Sequence, residues 1–212
     1  MTSVVVIGAG GHAKVIIDML LDNGLTVVAC VSHADAPRYR GIEVLVGDES
    51  LVALRASGVE RAVVAVGANA LRQRLAADAL FLGFTLPSVV SRSAQISPTA
   101  SIGEGAVIMP NAVVNADAAI GRLAIVNTGA TVDHDCVVGE AAHVAPGVHF
   151  SGGVRLGARS IVGVGSSARP LVTIGDDVVV GAGSVLVSDI ADGVTAYGVP
   201  ARSNHHTGST LD

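Results

Sequence analysis

The sequence of 212 residues contains few aromatic side chains: three Phe, two Tyr and no Trp. This scarcity argues against a protein that stacks the bases of single-stranded nucleic acid on aromatic rings. Lys14 is the only lysine and the formal net charge is −5, so a general binder of nucleic acid is not expected either. The chain lacks an uninterrupted run of 18 apolar residues and a basic stretch at its start. We therefore expect a cytoplasmic protein without a signal peptide or a membrane span.

Cysteine is equally scarce, because only Cys30 and Cys136 are present and they lie far apart. This spacing supports neither a disulfide framework nor a thiolate zinc site, and we expect no bound metal. Half of the residues are nevertheless hydrophobic and 26 are Gly. A core must therefore be built from Val, Ala, Ile and Leu.

The first part of the chain, residues 1–90, alternates short apolar runs with segments of helical periodicity, which predicts a small Rossmann-like α/β domain with a parallel sheet of four or fewer main strands. The predicted strands are Ser3–Ile7, Val27–Val31 and Ala62–Val66. The predicted helices are His12–Leu21, Glu49–Ser57 and Ala70–Leu82.

Residues 91–202 have a different texture, a repeat of six residues. Every sixth position from Ile96 to Leu186 is aliphatic or Phe, with Ala168 as the exception, where chance predicts about five of 16. The fourth position after each is mostly small, and Cys136 occupies one such position, which favours a structural role for it. Such hexads predict a parallel β-helix in which three hexads form one coil of 18 residues, giving about five coils, rather than an antiparallel β-sandwich. Glycines that follow the aliphatic residue are expected to relieve strain at the turns. Residues 203–212 are predicted to form a disordered tail.

Gly8, Gly10 and Gly11 lie between the first strand and the first helix, where small residues let a phosphate approach backbone N–H groups. A dinucleotide oxidoreductase and a purely structural turn are alternatives. The oxidoreductase fingerprint is incomplete, because Ala13 replaces its last glycine and no acid follows the second strand at Ser32 and His33.

His134 lies between Asp133 and Asp135 at an outward position of the repeat. Residues one coil apart stack in a column, so His134 is expected between Ala116 and Gly152, whose small size leaves room beside the imidazole. A carboxylate bonded to one ring nitrogen makes the other more basic, which suits a general base.

The hexads resemble those of the left-handed β-helix acyltransferases. Residues 4–202 are similar to the sugar acetyltransferases of the bacillosamine, perosamine and sialic-acid pathways. The segments that carry this resemblance are VVIGAGGHAKV (5–15), VGAN (66–69), NTGA (127–130), VDHDC (132–136) and GVPA (198–201). The resemblance implies a homotrimer whose N-terminal domain holds a nucleotide-sugar and whose β-helix binds acetyl-CoA between neighbouring subunits.

The resemblance also implies roles for individual residues. His134 corresponds to the general base, and Asp135 to the acid that raises its basicity. Gly10, Gly11 and His12 would contact the nucleotide, and Asn127 is a candidate substrate contact. The family pattern also has a His at the position of His143, which contacts the acetyl end of acetyl-CoA. Gly152, Val164 and Ala182 are assigned to acetyl-CoA on the residues alone, because small side chains and the column shared by Val164 and Ala182 could line its pantetheine arm. The chain departs from these relatives at Ser32 and His33, where they carry Asp residues that contact the base of the nucleotide. The sequence therefore does not identify which nucleotide is bound.

The sequence thus predicts an acetyl-CoA-dependent N-acetyltransferase that acts on the amine of a nucleotide-linked amino-deoxysugar. The nearest alternative is an O-acetyltransferase of the sialic-acid type. A trimer that senses nucleotide-sugars without catalysing a reaction is the alternative from another class. His149, His205 and His206 match no motif and are expected at the surface.

Overall fold

The first structural unit is a four-stranded parallel sheet with helices packed on it. We describe a computed structural model, which covers residues 3–34 and 36–204. The sheet has the order β3-β2-β1-β4. Its elements are β1 (Ser3–Ile7), α1 (Gly11–Asp22), β2 (Thr26–Ser32), β3 (Val44–Val46), α2 (Glu49–Ala56), β4 (Ala62–Val64) and α3 (Asn69–Phe81). The predicted α/β unit is confirmed, and β3 is the one short strand that the sequence pattern did not predict.

The second unit is the parallel β-helix, left-handed as its hexapeptide repeats predict. It begins one hexad before Ile96, at β5 (Val89–Val90). Three sheets form its faces, and their strands are parallel except for the last strand of the first face, which is antiparallel. The first face contains β5, β8 (Val107–Ile108), β11 (Ile125–Val126), β14 (His143–Val144), β17 (Ile161–Val162), β20 (Val179–Val180), β22 (Thr195–Gly198) and β23 (Ala201–Asn204). The second contains β6 (Gln95–Ile96), β9 (Val113–Val114), β12 (Thr131–Val132), β15 (His149–Phe150), β18 (Ser167–Ala168) and β21 (Val185–Leu186). The third contains β7 (Ser101–Ile102), β10 (Ala119–Ile120), β13 (Val137–Val138), β16 (Arg155–Leu156) and β19 (Thr173–Ile174).

The inside of the coil is filled by the aliphatic hexad residues and the small residues between them, and Cys136 is fully buried there. Stacked strands pair in a register of one complete coil, as between Ile125 and His143. The glycine that follows many hexad residues serves a different purpose from the one predicted. A Cβ on Gly139 would lie 2.6 Å from the backbone nitrogen of Ala158 in the next coil. These glycines therefore permit close stacking of coils, rather than relieving strain at the turns.

The chain end also differs from its prediction. Ser203 and Asn204, expected in a disordered tail, belong to β23, which pairs antiparallel with β22. Residues 205–212, with His205 and His206, lie outside the described residues. Among the helices that the structure describes, none is long and apolar enough to cross a membrane.

The two units share their hydrophobic cores. Apolar residues of α1 pack with Val89, Val107, Met109 and Ile125 of the coil. On the other side of the sheet, a second cluster reaches Leu123 and Ala141. The parallel sheet is thus docked on the first coils, and the ends of its strands are held next to the first face of the β-helix.

Candidate active site

His134 and Asp135 lie in the turn between β12 and β13. The imidazole Nδ1 is 2.7 Å from a carboxylate oxygen of Asp135, and both side chains are more than half exposed. The hydrogen bond to Asp135, helped by the negative charge of Asp133, raises the pKa of His134 above its ordinary value. Because Nδ1 is bonded to the carboxylate, Nε2 is the nitrogen that can receive a proton from a substrate.

The main chain of this turn is fixed by Asp133. Its carboxylate accepts a hydrogen bond from the backbone N–H of His134 (2.8 Å) and another from the side-chain amide of Asn115 one coil below (2.8 Å). These hydrogen bonds lower the pKa of Asp133, which keeps it ionised. Asn115 was not singled out in the sequence, although its position one coil before Asp133 is a signal that could have found it.

Gly152 supplies the space that the imidazole occupies. The predicted stacking holds, because the carbonyl of His134 accepts a hydrogen bond from the N–H of Gly153 (2.9 Å). A Cβ on Gly152 would lie 2.5 Å from Cε1 and 2.6 Å from Nε2 of His134. Beside the ring is a cleft of about 410 Å³, walled on one side by Pro170 and Leu171. A side chain at 152 would therefore displace the nitrogen that faces this cleft.

A second group of polar residues lies where the parallel sheet meets the first face of the coil. His143 on β14 is 9% exposed, and its Nε2 is 3.0 Å from the amide nitrogen of Asn127. The centroid of the His12 ring is 6.5 Å from that of His143. The structure thus brings together three residues that the sequence assigned separately, and Asn127 orients His143 with its amide.

Both histidines of this group are neutral at physiological pH. Burial, followed by the charge of Arg72, lowers the pKa of His12 to about 4. Burial, the charge of Arg72 and the proximity of His12 lower the pKa of His143 to about 4 as well. Neutral imidazoles offer one donor and one acceptor each, which suits hydrogen bonding to an uncharged carbonyl or hydroxyl rather than ion pairing.

The other predicted acetyl-CoA residues lie on a different edge of the coil from Gly152. Val164 and Ala182 do share a column, since the carbonyl of Val164 accepts a hydrogen bond from the N–H of Gly183 (2.8 Å). That column follows the strands of the first face, which also carries His143, whereas His134 and Gly152 follow the strands of the second face. One chain therefore presents the predicted residues on two separate edges.

The glycine loop borders a cavity of about 400 Å³ at the carboxyl ends of β1, β2 and β4. Gly10 and Gly11 form the exposed start of α1, and His12 also lines this cavity. Ligands of open parallel sheets bind at such strand ends. The mouth of the cavity carries His33 and Asp48, whose Nδ1 and Oδ1 atoms are 3.9 Å apart. Sequence inspection missed Asp48, because it searched for an acid after β2 whereas this acid precedes α2. Asp35, the acid nearest in sequence to Ser32 and His33, is outside the described residues.

The described residues contain no group of three His, Cys, Asp or Glu side chains that could hold a metal ion. His149 is exposed on β15, where its Nδ1 is 2.9 Å from the hydroxyl of Thr131. The candidate functional side chains of the described residues thus lie in three places. These are the turn that carries His134, the junction of His12 with His143, and the glycine-loop cavity.

Comparison with known proteins gives matches to both units. Residues 3–79 match the PglD N-terminal domain, and residues 99–134 match the bacterial transferase hexapeptide repeats. No curated protein matches the chain at a significant level.

Solved structures match over nearly the full length. PerB from Caulobacter crescentus, solved with CoA and GDP-perosamine, is 48% identical over 96% of this chain and 97% of that chain, with a TM-score of 0.93. A His-to-Ala variant of GDP-perosamine N-acetyltransferase from the same organism, solved with the same ligands, is 46% identical over 96% of this chain and 97% of that chain, with a TM-score of 0.94. The acetyltransferase domain of PglB from Neisseria gonorrhoeae, solved with acetyl coenzyme A, is 40% identical over 96% of this chain and 99% of that chain, with a TM-score of 0.88.

Proposed function

The chain belongs to the family of sugar acyltransferases that join a PglD-type N-terminal domain to hexapeptide repeats, and we propose that it acetylates the amine of a nucleotide-linked amino-deoxysugar with acetyl-CoA as donor. The observation that carries this proposal is the hydrogen-bonded pair of His134 and Asp135 beside an open cleft. A carboxylate-supported imidazole next to space for two substrates is what direct transfer from a thioester to an amine requires.

In the proposed reaction His134 acts as the general base. The amine nitrogen attacks the thioester carbonyl, and its proton moves to Nε2 of His134 as the new N–C bond forms. The C–S bond then breaks, the acetyl group stays on the sugar nitrogen, and the proton passes to the sulfur of the leaving CoA. Asp135 stabilises the imidazolium through Nδ1–H. No covalent acyl-enzyme is needed, because the acceptor attacks the donor directly.

The acceptor is proposed to bind with its nucleotide in the glycine-loop cavity. Gly10 and Gly11 expose backbone at the start of α1, where a pyrophosphate is favoured by free N–H groups and the helix dipole. Structures of PerB contain GDP-perosamine. A GDP-linked amino sugar is therefore the first acceptor to test, beside UDP- and dTDP-linked ones.

The active site is proposed to form between subunits of a homotrimer. The predicted residues fall into two sets. The first face and the edge after its strands carry His143, Val164 and Ala182, whereas the edge after the strands of the second face carries His134 and Gly152. If one acetyl-CoA contacts both sets, neighbouring chains must each supply one of them. This division of residues favours an oligomer over a catalytic monomer.

The decisive experiment measures thiol release from acetyl-CoA with GDP-perosamine as acceptor. His134→Ala should lower kcat by about 10²–10⁴, the usual contribution of a general base. The matched control is His149→Ala, an exposed histidine of the same coil, which should retain activity. Full activity of His134→Ala would refute the assignment. Turnover of a hydroxyl acceptor, such as sialic acid, in preference to the amine would identify an O-acetyltransferase instead.

A further inference from the structure

Arg72 is a buried cation at the junction of the two units. It lies in the first turn of α3, is 1% exposed, and each hydrogen bond that the structure gives it ends on a carbonyl or amide oxygen rather than a carboxylate. Burial lowers the pKa of Arg72 to about 10, so the guanidinium stays charged at neutral pH. Within residues 3–34 and 36–204 no carboxylate forms an ion pair with this guanidinium, and a buried, unpaired charge is poor evidence of a stabilising role. The role of Arg72 is therefore inferred from the segments that its hydrogen bonds connect.

One side of the guanidinium contacts the edge of the β-helix. Nε donates to the carbonyl of Leu123 (2.8 Å), and Nη2 donates to the carbonyl of Ala141 (2.7 Å). The amide of Asn69 continues the series by donating to the carbonyl of Arg159 (2.7 Å). These three acceptors follow one another at intervals of one coil, and all have left-handed backbone angles, with φ of 56°, 52° and 58°. Asn69 and Arg72 thus bind the same corner of three successive coils.

The other side of the guanidinium contacts the wall of the glycine-loop cavity. Nη1 donates to the carbonyls of Val66 (3.0 Å) and Gly67 (2.9 Å), two residues that line that cavity. Nη2 also donates to the side-chain oxygen of Asn69 (2.9 Å). The planar fork of arginine is suited to such fixed, multiple contacts, whereas the single ammonium of lysine cannot span both sides. The cavity wall and the coil are therefore joined through one side chain.

This connection lies next to the place where residues of both units meet. The carbonyl of Ala142, the residue before His143, is 3.4 Å from Nη2 of Arg72. His12, the second residue of α1, lies with its ring centroid 6.5 Å from that of His143. A change in the height of the parallel sheet along the coil would separate these two rings.

We propose that Arg72 and Asn69 are positioning residues for acetyl transfer, which fix the glycine-loop cavity at one height on the β-helix so that a bound acceptor reaches the acetyl donor. The inference rests on the proposed function and adds to it the segment VGAN (66–69) with Arg72, for which that function gave no role. The nucleotide site and the donor site lie on different units, so each can form without this connection. The two substrates can be aligned for reaction only if the connection is present.

The test compares Arg72→Met and Asn69→Ala with wild type in steady-state assays with GDP-perosamine and acetyl-CoA, and in calorimetry with GDP and with acetyl-CoA separately. We expect both dissociation constants to stay within about threefold while kcat falls by about 100-fold, the effect of a misplacement of about 1 Å. Asn69→Ala guards against a failure of Arg72→Met to fold. Arg72→Lys should lower kcat nearly as much as Arg72→Met, because a single ammonium cannot contact both the cavity wall and the coil.

The matched control is Arg55→Met, because Arg55 is a half-buried arginine that donates to the carbonyl of Gly83 within the first unit (3.0 Å) and has no contact with the coil among the described residues. It should leave kcat unchanged. If Arg72→Met and Asn69→Ala lower only the melting temperature and keep kcat within threefold, the residues are merely structural and the inference is overturned. If wild type itself turns over none of the amino-sugar acceptors, the proposed function fails, and the positioning role fails with it.

Discussion

The two aspartates beside His134 act on different atoms of the residue. Asp133 holds its backbone N–H, and Asp135 holds the ring through Nδ1. The first contact fixes where the side chain starts and the second fixes how the ring is turned and which tautomer it adopts. An exposed histidine is thereby given the defined orientation that a buried one obtains from packing.

The pH dependence of activity should report the hydrogen bond between His134 and Asp135. A general base works in its neutral form, so kcat/KM should rise with pH as His134 loses its proton, with a midpoint above the ordinary histidine value because Asp135 raises the pKa. Asp135→Asn removes that carboxylate, so the acidic limb should move to lower pH while the plateau falls. An acidic limb that stays in place in this variant would contradict the assignment of His134 as the titrating base.

Gly152→Ala tests whether the space beside His134 is needed. The added Cβ would meet the imidazole at 2.5 Å, so the ring must move and activity should fall by about 100-fold while the coil still forms. Gly147→Ala is the contrasting variant. It introduces a side chain at a φ of 65° into open space, which should lower the free energy of unfolding by about 1 kcal/mol and leave kcat unchanged. Equal activities of the two variants would show that Gly152 has no special role.

At the scale of elements, the cavity edge of the parallel sheet combines pieces from several loops. The glycine loop follows β1, His33 follows β2, and Asp48 precedes α2. Their distances in sequence are set by unrelated loop lengths. An acid at one fixed spacing after β2 is therefore not what the cavity contains, and Asp48 could not be located in this way.

Asp48→Ala should therefore weaken nucleotide binding specifically. Loss of a charged hydrogen-bonding group at the cavity mouth should raise the KM for the nucleotide-sugar by roughly 10-fold, since such bonds contribute about 1.5–3 kcal/mol when formed and Asp48 is largely exposed. The KM for acetyl-CoA should not change. Asp78→Ala, an acid on α3 that lines the neighbouring groove, serves as control. An unchanged acceptor KM in Asp48→Ala would exclude a role for this carboxylate in base recognition.

The secondary-structure elements also differ in how well the sequence could predict them. The inward residue of each coil strand from Ile96 to Leu186 was predictable, because an inward aliphatic side chain every six positions is a local requirement of each coil. The strands before and after this run, β5, β22 and β23, were not predicted. The buried role of Arg72 was not, since its acceptors on the coil are main-chain carbonyls far away in sequence, at corners whose side chains differ. β3 escaped detection because so short a strand at the edge of a sheet carries little periodicity.

At the scale of the whole molecule, the proposed division of the active site can be tested by mixing subunits. Light scattering should give about three times the chain mass of 21.1 kDa. Co-expressed chains carrying His134→Ala and His143→Ala should form mixed trimers with activity that neither variant has alone, because some interfaces then contain two intact residues. A monomer mass at micromolar concentration, or mixtures as inactive as the single variants, would contradict a shared site.

The neutral histidines at the junction of the units should make the protein sensitive to acid. Their pKa values are about 4 when folded, against 6.5 as the ordinary value, so the unfolded chain binds more protons between these limits. The free energy of unfolding should therefore fall as the pH is lowered from 6.5 to 4, by roughly 3 kcal/mol per histidine. The double variant His12→Gln with His143→Gln should flatten this slope in urea titrations, and an unchanged slope would count against burial in the neutral form.

The register between stacked strands also sets the unit in which this chain can change length. Removing a single residue would shift every later residue by one position, so that side chains pointing inward would point outward. Removing a complete coil between two equivalent corners keeps the inward positions of every later strand. Each coil adds about 4.8 Å of height. Deletions of whole coils are thus the mild changes here and single deletions the severe ones, so an engineered chain could be shortened or extended in whole coils to match donors of different reach.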